Sequence, residues 1–256
     1  MAQIENLLGD TYSKMLIQKK INMNREELTE NGPITIVAFG DSITHGAFGP
    51  DEIDYDSVYW NILRKKINKV REYVPVNVIN AGIGGASASG SVKRLDKQVL
   101  AHNPDLVIVC FGLNDINGEL AKFIDSLKLI FTRIKESGAD VIFMTPNMLN
   151  TYVAEDTSTE HIEYAKKTAD FQNNGKMDLF VESAICLAEK MGVTVCDVYS
   201  EWKKKSEKED IVKHLANRIN HPTREMHKLS ADMLFNIIFN QDIQRMDNES
   251  TMYKCD

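Results

Sequence analysis

Ile34-Thr35-Ile36-Val37-Ala38-Phe39-Gly40-Asp41-Ser42-Ile43-Thr44-His45-Gly46 decides how this chain folds. A β-branched, apolar run ends abruptly in Gly-Asp-Ser, and a helix-like pattern follows a few residues later. A serine just past the C-terminal end of a parallel strand sits where open α/β sheets place their ligands. There its hydroxyl is accessible, and the amides that open the next helix can face an anion formed on attack. Serine at such a turn also caps helices. This segment by itself therefore leaves nucleophile and cap both open.

Working outward, strand and helix patterns alternate. Strands are predicted at 34–39, 76–80, 106–111, 140–145 and 193–197, with helices over about 57–71, 88–101, 119–137, 175–191 and 224–240. Strands this apolar and unalternating suit a sheet buried on both faces. The expected fold is α/β, a three-layer, doubly wound parallel five-stranded sheet of flavodoxin-like order with right-handed crossovers. Upstream, Ile4, Leu7, Leu8, Tyr12, Met15 and Leu16 space as an amphipathic helix over 4–20, and the polar stretch 22–33 reads as a linker. The chain divides into an N-terminal helical arm with linker (1–33), an α/β domain (34–243) and a polar C-terminal tail (244–256). The arm can pack on the core or join two copies as a homo-oligomer. The connection 146–174 is long for a compact domain, with a short helix expected near 159–170. The charged run Lys203 to Asp210 reads as a solvated helix face or turn.

Bulk properties narrow the function. The 256 residues, 43% apolar and 26% charged, fit one large domain with a sizeable core. A formal charge of −7 suggests neither a nucleic-acid nor an anionic-membrane partner. Four cysteines, Cys110, Cys186, Cys196 and Cys255, are scattered without a CxxC pair, which reads as free thiols in a reducing compartment. No signal pattern or spanning stretch is visible, so a cytoplasmic location is expected. His214, His221 and His227 lack the HxxxH spacing of a zinc site, and neither a GxGxxG nor a GxxxxGK[ST] loop is present. No metal or cofactor is expected.

In a parallel sheet all strand C-termini share one rim, so the residues there can meet. The rim segments are Gly40-Asp41-Ser42, Asn80-Ala81-Gly82-Ile83-Gly84-Gly85, Gly112-Leu113-Asn114-Asp115, Thr145-Pro146-Asn147 and, later, Asn217-Arg218-Ile219-Asn220-His221-Pro222. Ser42 needs a base, and His221 is the histidine that a rim loop carries. An acyl-transfer oxyanion needs donors, for which the Ser42 amide, the Gly82 amide and the Asn114 carboxamide are candidates. Each also has a plain reading: Gly82–Gly85 as a tight turn, Asn114-Asp115 as a cap, His221 as a loop residue.

Together these blocks resemble the SGNH (GDSL-type) hydrolase superfamily: Gly40-Asp41-Ser42, Asn80-x-Gly82-x-x-Gly85, Gly112-x-Asn114-Asp115 and His221, over roughly residues 34–240. The resemblance implies the SGNH hydrolase fold and a serine esterase acting without a metal. By that likeness Ser42 is the nucleophile, His221 the base, and Gly82 and Asn114 the oxyanion donors with the Ser42 amide. Asp41, Gly85 and Asn147 are assigned to substrate binding. The implied substrate is a small-molecule or carbohydrate ester, most simply an acetyl ester. A lysophospholipase or thioesterase and a catalytically weak binding protein are the alternatives.

One position departs from the family pattern. Where an Asp usually stands three residues before the histidine, this chain has Arg218, which cannot accept the imidazole N–H. The carboxylate of a serine triad fixes the imidazole tautomer and stabilises the imidazolium. Three replacements are open: a backbone carbonyl of Arg218 or Ile219, the amide oxygen of Asn217 or Asn220, or a carboxylate such as Asp197 or Glu201. The first two are nearer in sequence and are preferred.

Overall fold

The computed structural model describes residues 15–49 and 51–239. Helices α1 (Leu16–Lys20) and α2 (Arg25–Asn31) lead into β1 (Ile34–Gly40), followed by α3 (Ser42–His45), α4 (Tyr59–Val70) and β2 (Val76–Gly82). Next come α5 (Ala88–Ser91), α6 (Leu95–Gln98), β3 (Leu106–Cys110), α7 (Leu120–Glu136) and β4 (Asp140–Met144). Then α8 (Ile162–Asn173), α9 (Lys176–Lys190), β5 (Thr194–Cys196), α10 (Val198–Ser206) and α11 (Arg224–Phe239) complete the order.

The five strands form one parallel sheet in the order β2-β1-β3-β4-β5, the flavodoxin-like arrangement expected. The chain leaves β1 for one neighbour and later returns to the other side. That reversal opens a crevice at the C-terminal end of β1, where open α/β sheets bind ligands. Register makes the crevice concrete: Gly40 pairs with Gly82 on one side and Cys110 on the other, so three strand ends lie abreast. Ile36, Val37, Ala38 and Phe39 are fully buried, as a strand covered on both faces requires. Helix α7 shows the matching pattern, burying Phe123, Leu127, Ile130, Phe131 and Ile134 on one face. Each such side chain contributes about 1.5–3 kcal/mol on leaving water.

Three sequence expectations change. The helix expected over 88–101 is broken into α5, α6 and 3₁₀ turns, because Ser-Gly-Ser at its start favours caps and turns over a continuous helix. The stretch 22–33 is more than a linker: Asn24 and Glu27 close a capping box that starts α2. The charged run 203–210 is, as expected, a solvated helix end and turn: it begins as the last turn of α10, which Asp197 caps through Ser200 N–H. Cys110 and Cys196 are free and buried as expected, but Cys186 is disulfide-bonded, so cysteine usage no longer argues for a reducing compartment.

The part of the N-terminal arm that is described packs on the chain's own core. Ile17 is fully buried, the Leu16 N–H donates to Asp140 Oδ2 at 2.6 Å, and Lys20 pairs with Asp105 at 2.9 Å. The expected helix before Met15 and the tail 244–256 lie outside the described residues. No described helix is long and apolar enough to cross a membrane.

Candidate active site

Glycine makes the nucleophile turn possible. A Cβ on Gly40 would lie 2.2 Å from Thr44 Oγ1, and one on Gly82 would lie 2.3 Å from the His45 nitrogen. With no side chain at either strand end, the short helix α3 sits directly on the C-termini of β1 and β2. Asp41 caps α3, its Oδ1 accepting the Ile43 N–H at 3.0 Å. Ser42 follows as the first helical residue, 9% exposed, at the mouth of the crevice. The two roles thus fall to adjacent residues: Asp41 is the cap, and the Ser42 hydroxyl is not spent on capping.

Below the turn lies Arg94, which sequence reasoning missed. Its guanidinium donates to Ala81 O at 2.6 Å and Gly40 O at 3.0 Å, and lies 4.6 Å over the Phe39 ring. It ties the last carbonyls of β1 and β2 together just before the candidate nucleophile and the glycine loop. The anchor is α6's preceding 3₁₀ turn, inside the broken helix; no motif marks it.

Ser42 and His221 meet. The Ser42 hydroxyl and His221 Nε2 are 3.0 Å apart, and His221 Nδ1 lies 3.1 Å from the carbonyl oxygen of Phe48. A carbonyl can only accept, so Nδ1 carries the proton and Nε2 is left with the lone pair that faces Ser42. That is the tautomer a general base needs. Burial holds the His221 imidazole below its ordinary pKa, while the Phe48 carbonyl pulls the other way. The orienting group is therefore a backbone carbonyl, but it belongs to neither Arg218 nor Ile219.

The remaining orienter candidates do other things. Asn217 Oδ1 accepts three successive amides, Ile219, Asn220 and His221, at 3.0, 2.9 and 2.9 Å, and its Nδ2 donates to Asn220 Oδ1. Both Asn217 and Asn220 thus shape the loop rather than touch the ring. Arg218 adopts a left-handed φ of 62° and pairs outward with Asp156 at 2.9 Å. Asp197 caps α10 and Glu201 pairs with Lys204, which excludes both as orienters in this arrangement.

Three substrate or donor assignments also need correction. Asp41 is 1% exposed and engaged with Ile43 and, at 3.4 Å, Asn114 Nδ2, so it supports the turn and does not face a ligand. Asn147 is 3% exposed and donates to Met148 O and Asn220 O, bracing the histidine loop from β4. The Gly82 amide already donates to Asn80 Oδ1 at 2.9 Å, so it is not free for an oxyanion. Gly85, exposed with φ 73°, presents an amide that no hydrogen bond among the described residues engages. Asn114 Nδ2 donates to Ala86 O at 3.1 Å, and Asp115 Oδ1 accepts the Ala88 N–H at 2.9 Å, so the β3 loop braces the glycine loop.

Burial raises both acids here: Asp41 to about 7, helped by Asp115, and Asp115 to about 6. His45 turns away from Ser42, its Nε2 3.4 Å from the Tyr55 hydroxyl. With Tyr55, Trp60, Asn80 and Gly82 it lines an open depression beside α3, whose lining includes neither Ser42 nor His221. Among the described residues no group of three His, Cys, Asp or Glu side chains is placed to hold a metal ion.

Comparison with known proteins agrees with this geometry. Residues 38–229 match the GDSL-like Lipase/Acylhydrolase family. An arylesterase of Vibrio mimicus is 29% identical over 185 residues, 70% of this chain and 89% of that protein. A lipase/acylhydrolase from Enterococcus faecalis superposes with a TM-score of 0.65 at 24% identity, over 81% of this chain and 96% of that one. An acetylxylan esterase from Geobacillus stearothermophilus gives 0.63 at 18%, over 80% and 94%. The family match spans all four rim blocks and the histidine loop, so the chain belongs to the GDSL-like lipase/acylhydrolase (SGNH) family and is a carboxylic ester hydrolase.

Proposed function

We propose that this esterase cleaves small acyl esters, acetyl esters of carbohydrates first among them, through a Ser42–His221 dyad. The observation that carries the reading is the relay Ser42 Oγ–His221 Nε2–His221 Nδ1–Phe48 O, at 3.0 and 3.1 Å. Ser42 Oγ attacks the acyl carbon while its proton passes to Nε2. The tetrahedral intermediate collapses, and Nε2 returns the proton to the departing alcohol, leaving an acyl-Ser42 ester. Water then attacks that ester by the same path, releasing the acid and restoring the serine hydroxyl. The oxyanion is met by the Ser42 amide, the Gly85 amide and Asn114 Nδ2, the last giving up its 3.4 Å contact to Asp41.

Similarity in fold to an acetylxylan esterase from Geobacillus stearothermophilus supports the acetyl-carbohydrate reading. The case for a catalytically weak binding protein rests on Arg218, and it loses force once Phe48 O occupies Nδ1. A serine-directed fluorophosphonate should label the wild-type protein and leave Ser42→Ala unlabelled. Aryl esters of increasing chain length should be cleaved fastest as acetate; an optimum near C8–C12 would instead indicate the lysophospholipase or thioesterase reading.

A further inference from the structure

A carboxylate orienter is held by its own side chain, but a carbonyl orienter is only as well placed as its loop. Residues 46–49 and 51–54 belong to that loop here. The Phe48 N–H donates to Glu52 O and the Asp54 N–H to Gly46 O, both at 2.9 Å, so the segment folds back on itself like a small hairpin. The first turn of α11 then grips it. Arg224 Nη2 reaches Glu52 Oε1 and Nε reaches Asp54 Oδ2, each at 2.8 Å, while the guanidinium lies 4.7 Å from the Phe48 ring centroid. One turn on, His227 packs its imidazole 4.8 Å from the same ring and is itself stacked on Tyr59.

Arg224 stands three residues after His221, across Pro222. The same short segment thus carries the base and grips the loop that supplies its acceptor. The contacts close a ring: His221 Nδ1 to Phe48 O, through the loop to Glu52 and Asp54, across to Arg224, and back along the chain to His221.

We propose that Arg224 is a positioning residue for catalysis: by clamping Glu52, Asp54 and the Phe48 ring, it holds the Phe48 carbonyl on His221 and so takes over the geometric task of the missing acid. The inference rests on the dyad reading above. It predicts an effect on turnover out of proportion to stability, because half-exposed ion pairs contribute little to folding.

The test compares Arg224→Met, Arg224→Lys and the double variant Glu52→Gln/Asp54→Asn, with Arg133→Met as a control that removes a remote surface pair to Asp96. Three quantities are read: kcat and KM on p-nitrophenyl acetate, Tm, and the low-field proton resonance of His221 Nδ1–H, identified by its loss in His221→Gln. Arg224→Met and the double variant should lower kcat about tenfold, in keeping with a misplacement below 1 Å. KM should stay within twofold, Tm should shift no more than in the control, and the resonance should weaken or vanish. Arg224→Lys, which keeps one pairing but loses the fork, should recover part of kcat. The proposal is overturned if both clamp variants keep kcat within twofold of wild type, or if kcat falls with the resonance intact. Should Arg224→Met fail to fold, the double variant, which leaves the arginine in place, decides. The resonance needs no turnover, so a protein that neither labels nor hydrolyses would sink the dyad reading while the clamp could still be judged.

Discussion

The two halves of the site are built on different foundations. The serine half stands on strand ends: Gly40, Gly82 and Cys110 lie abreast by register, and Arg94 laces two of the end carbonyls together. The histidine half stands on loops: residues 217–221 curl around Asn217 Oδ1, Asn147 braces them, and the loop that carries Phe48 supplies the acceptor. Burial favours the neutral form in both halves, through pKa shifts in opposite directions. Burial raises Asp41 and Asp115 on the serine side, and lowers His221 and, to about 3, His227 on the other. Sheet register fixes the first half whatever the loops do, whereas the second must be assembled from many local hydrogen bonds.

The sharpest way to break this contrast is to remove a group that belongs to the serine half alone. Asn114→Ala should cost about 10²–10³ in kcat, the usual consequence of losing an oxyanion donor. Single-turnover acylation by an activated aryl acetate measures it, and a loss below fivefold would remove Asn114 from the donor set. Arg94→Met comes next. Freeing the Gly40 and Ala81 carbonyls should lower kcat by about 10–10², since small displacements of a nucleophile are costly. If kcat holds and only Tm falls, Arg94 supports the sheet and not the turn.

The pH dependence tests these opposed shifts. A carboxylate whose folded pKa is raised gives a fold that binds more protons than the unfolded chain. Stability from Asp41 is therefore lost as pH rises from near 3.8 to about 7. For His227 the unfolded chain binds the proton first, so stability is lost as pH falls from 6.5 toward about 3. Thermal melts across pH should show Asp41→Asn gaining several degrees over wild type at pH 8 and nothing near pH 4. A gain that does not vary with pH would contradict the raised Asp41. The acid limb of kcat/KM should fall below pH 6.5, because a lowered His221 stays neutral further into acid. The smallest expected effect is at the position that departs from the family pattern. Arg218→Asp should change kcat by less than about twofold, because a carboxylate there would point outward to solvent and Nδ1 already has its acceptor. A tenfold gain would show that the carbonyl is a poor substitute and that the loop can rearrange.

What could be read from the sequence follows the same division. Strand periods, the strand-end glycines, Ser42, Asn114 and His221 are local signals, and all five strands fall within two residues of their expected limits. The flavodoxin-like order was expected from the doubly wound alternation of strands and helices, although strand patterns alone do not fix it. Phe48 was invisible because a backbone carbonyl leaves no trace in residue type. Asn147 and Asp41 looked like ligand contacts because a polar residue at a rim carries no sign of which way its side chain turns. Gly82 looked like an amide donor, yet its glycine is required by the close approach of α3. Arg94 and Arg224 were missed because each acts across elements distant in sequence.

The acceptor behind His221 has a consequence for how this enzyme can vary. Every amino acid carries a main-chain carbonyl, so no single codon change deletes this one, whereas one base change can erase an aspartate. The burden passes from the identity of one residue to the spacing of a segment. Inserting or removing a residue between Ser42 and Asp54 should be as damaging here as losing the acid is in a relative that keeps it. Position 218, released from chemistry, is open to an arginine that faces solvent.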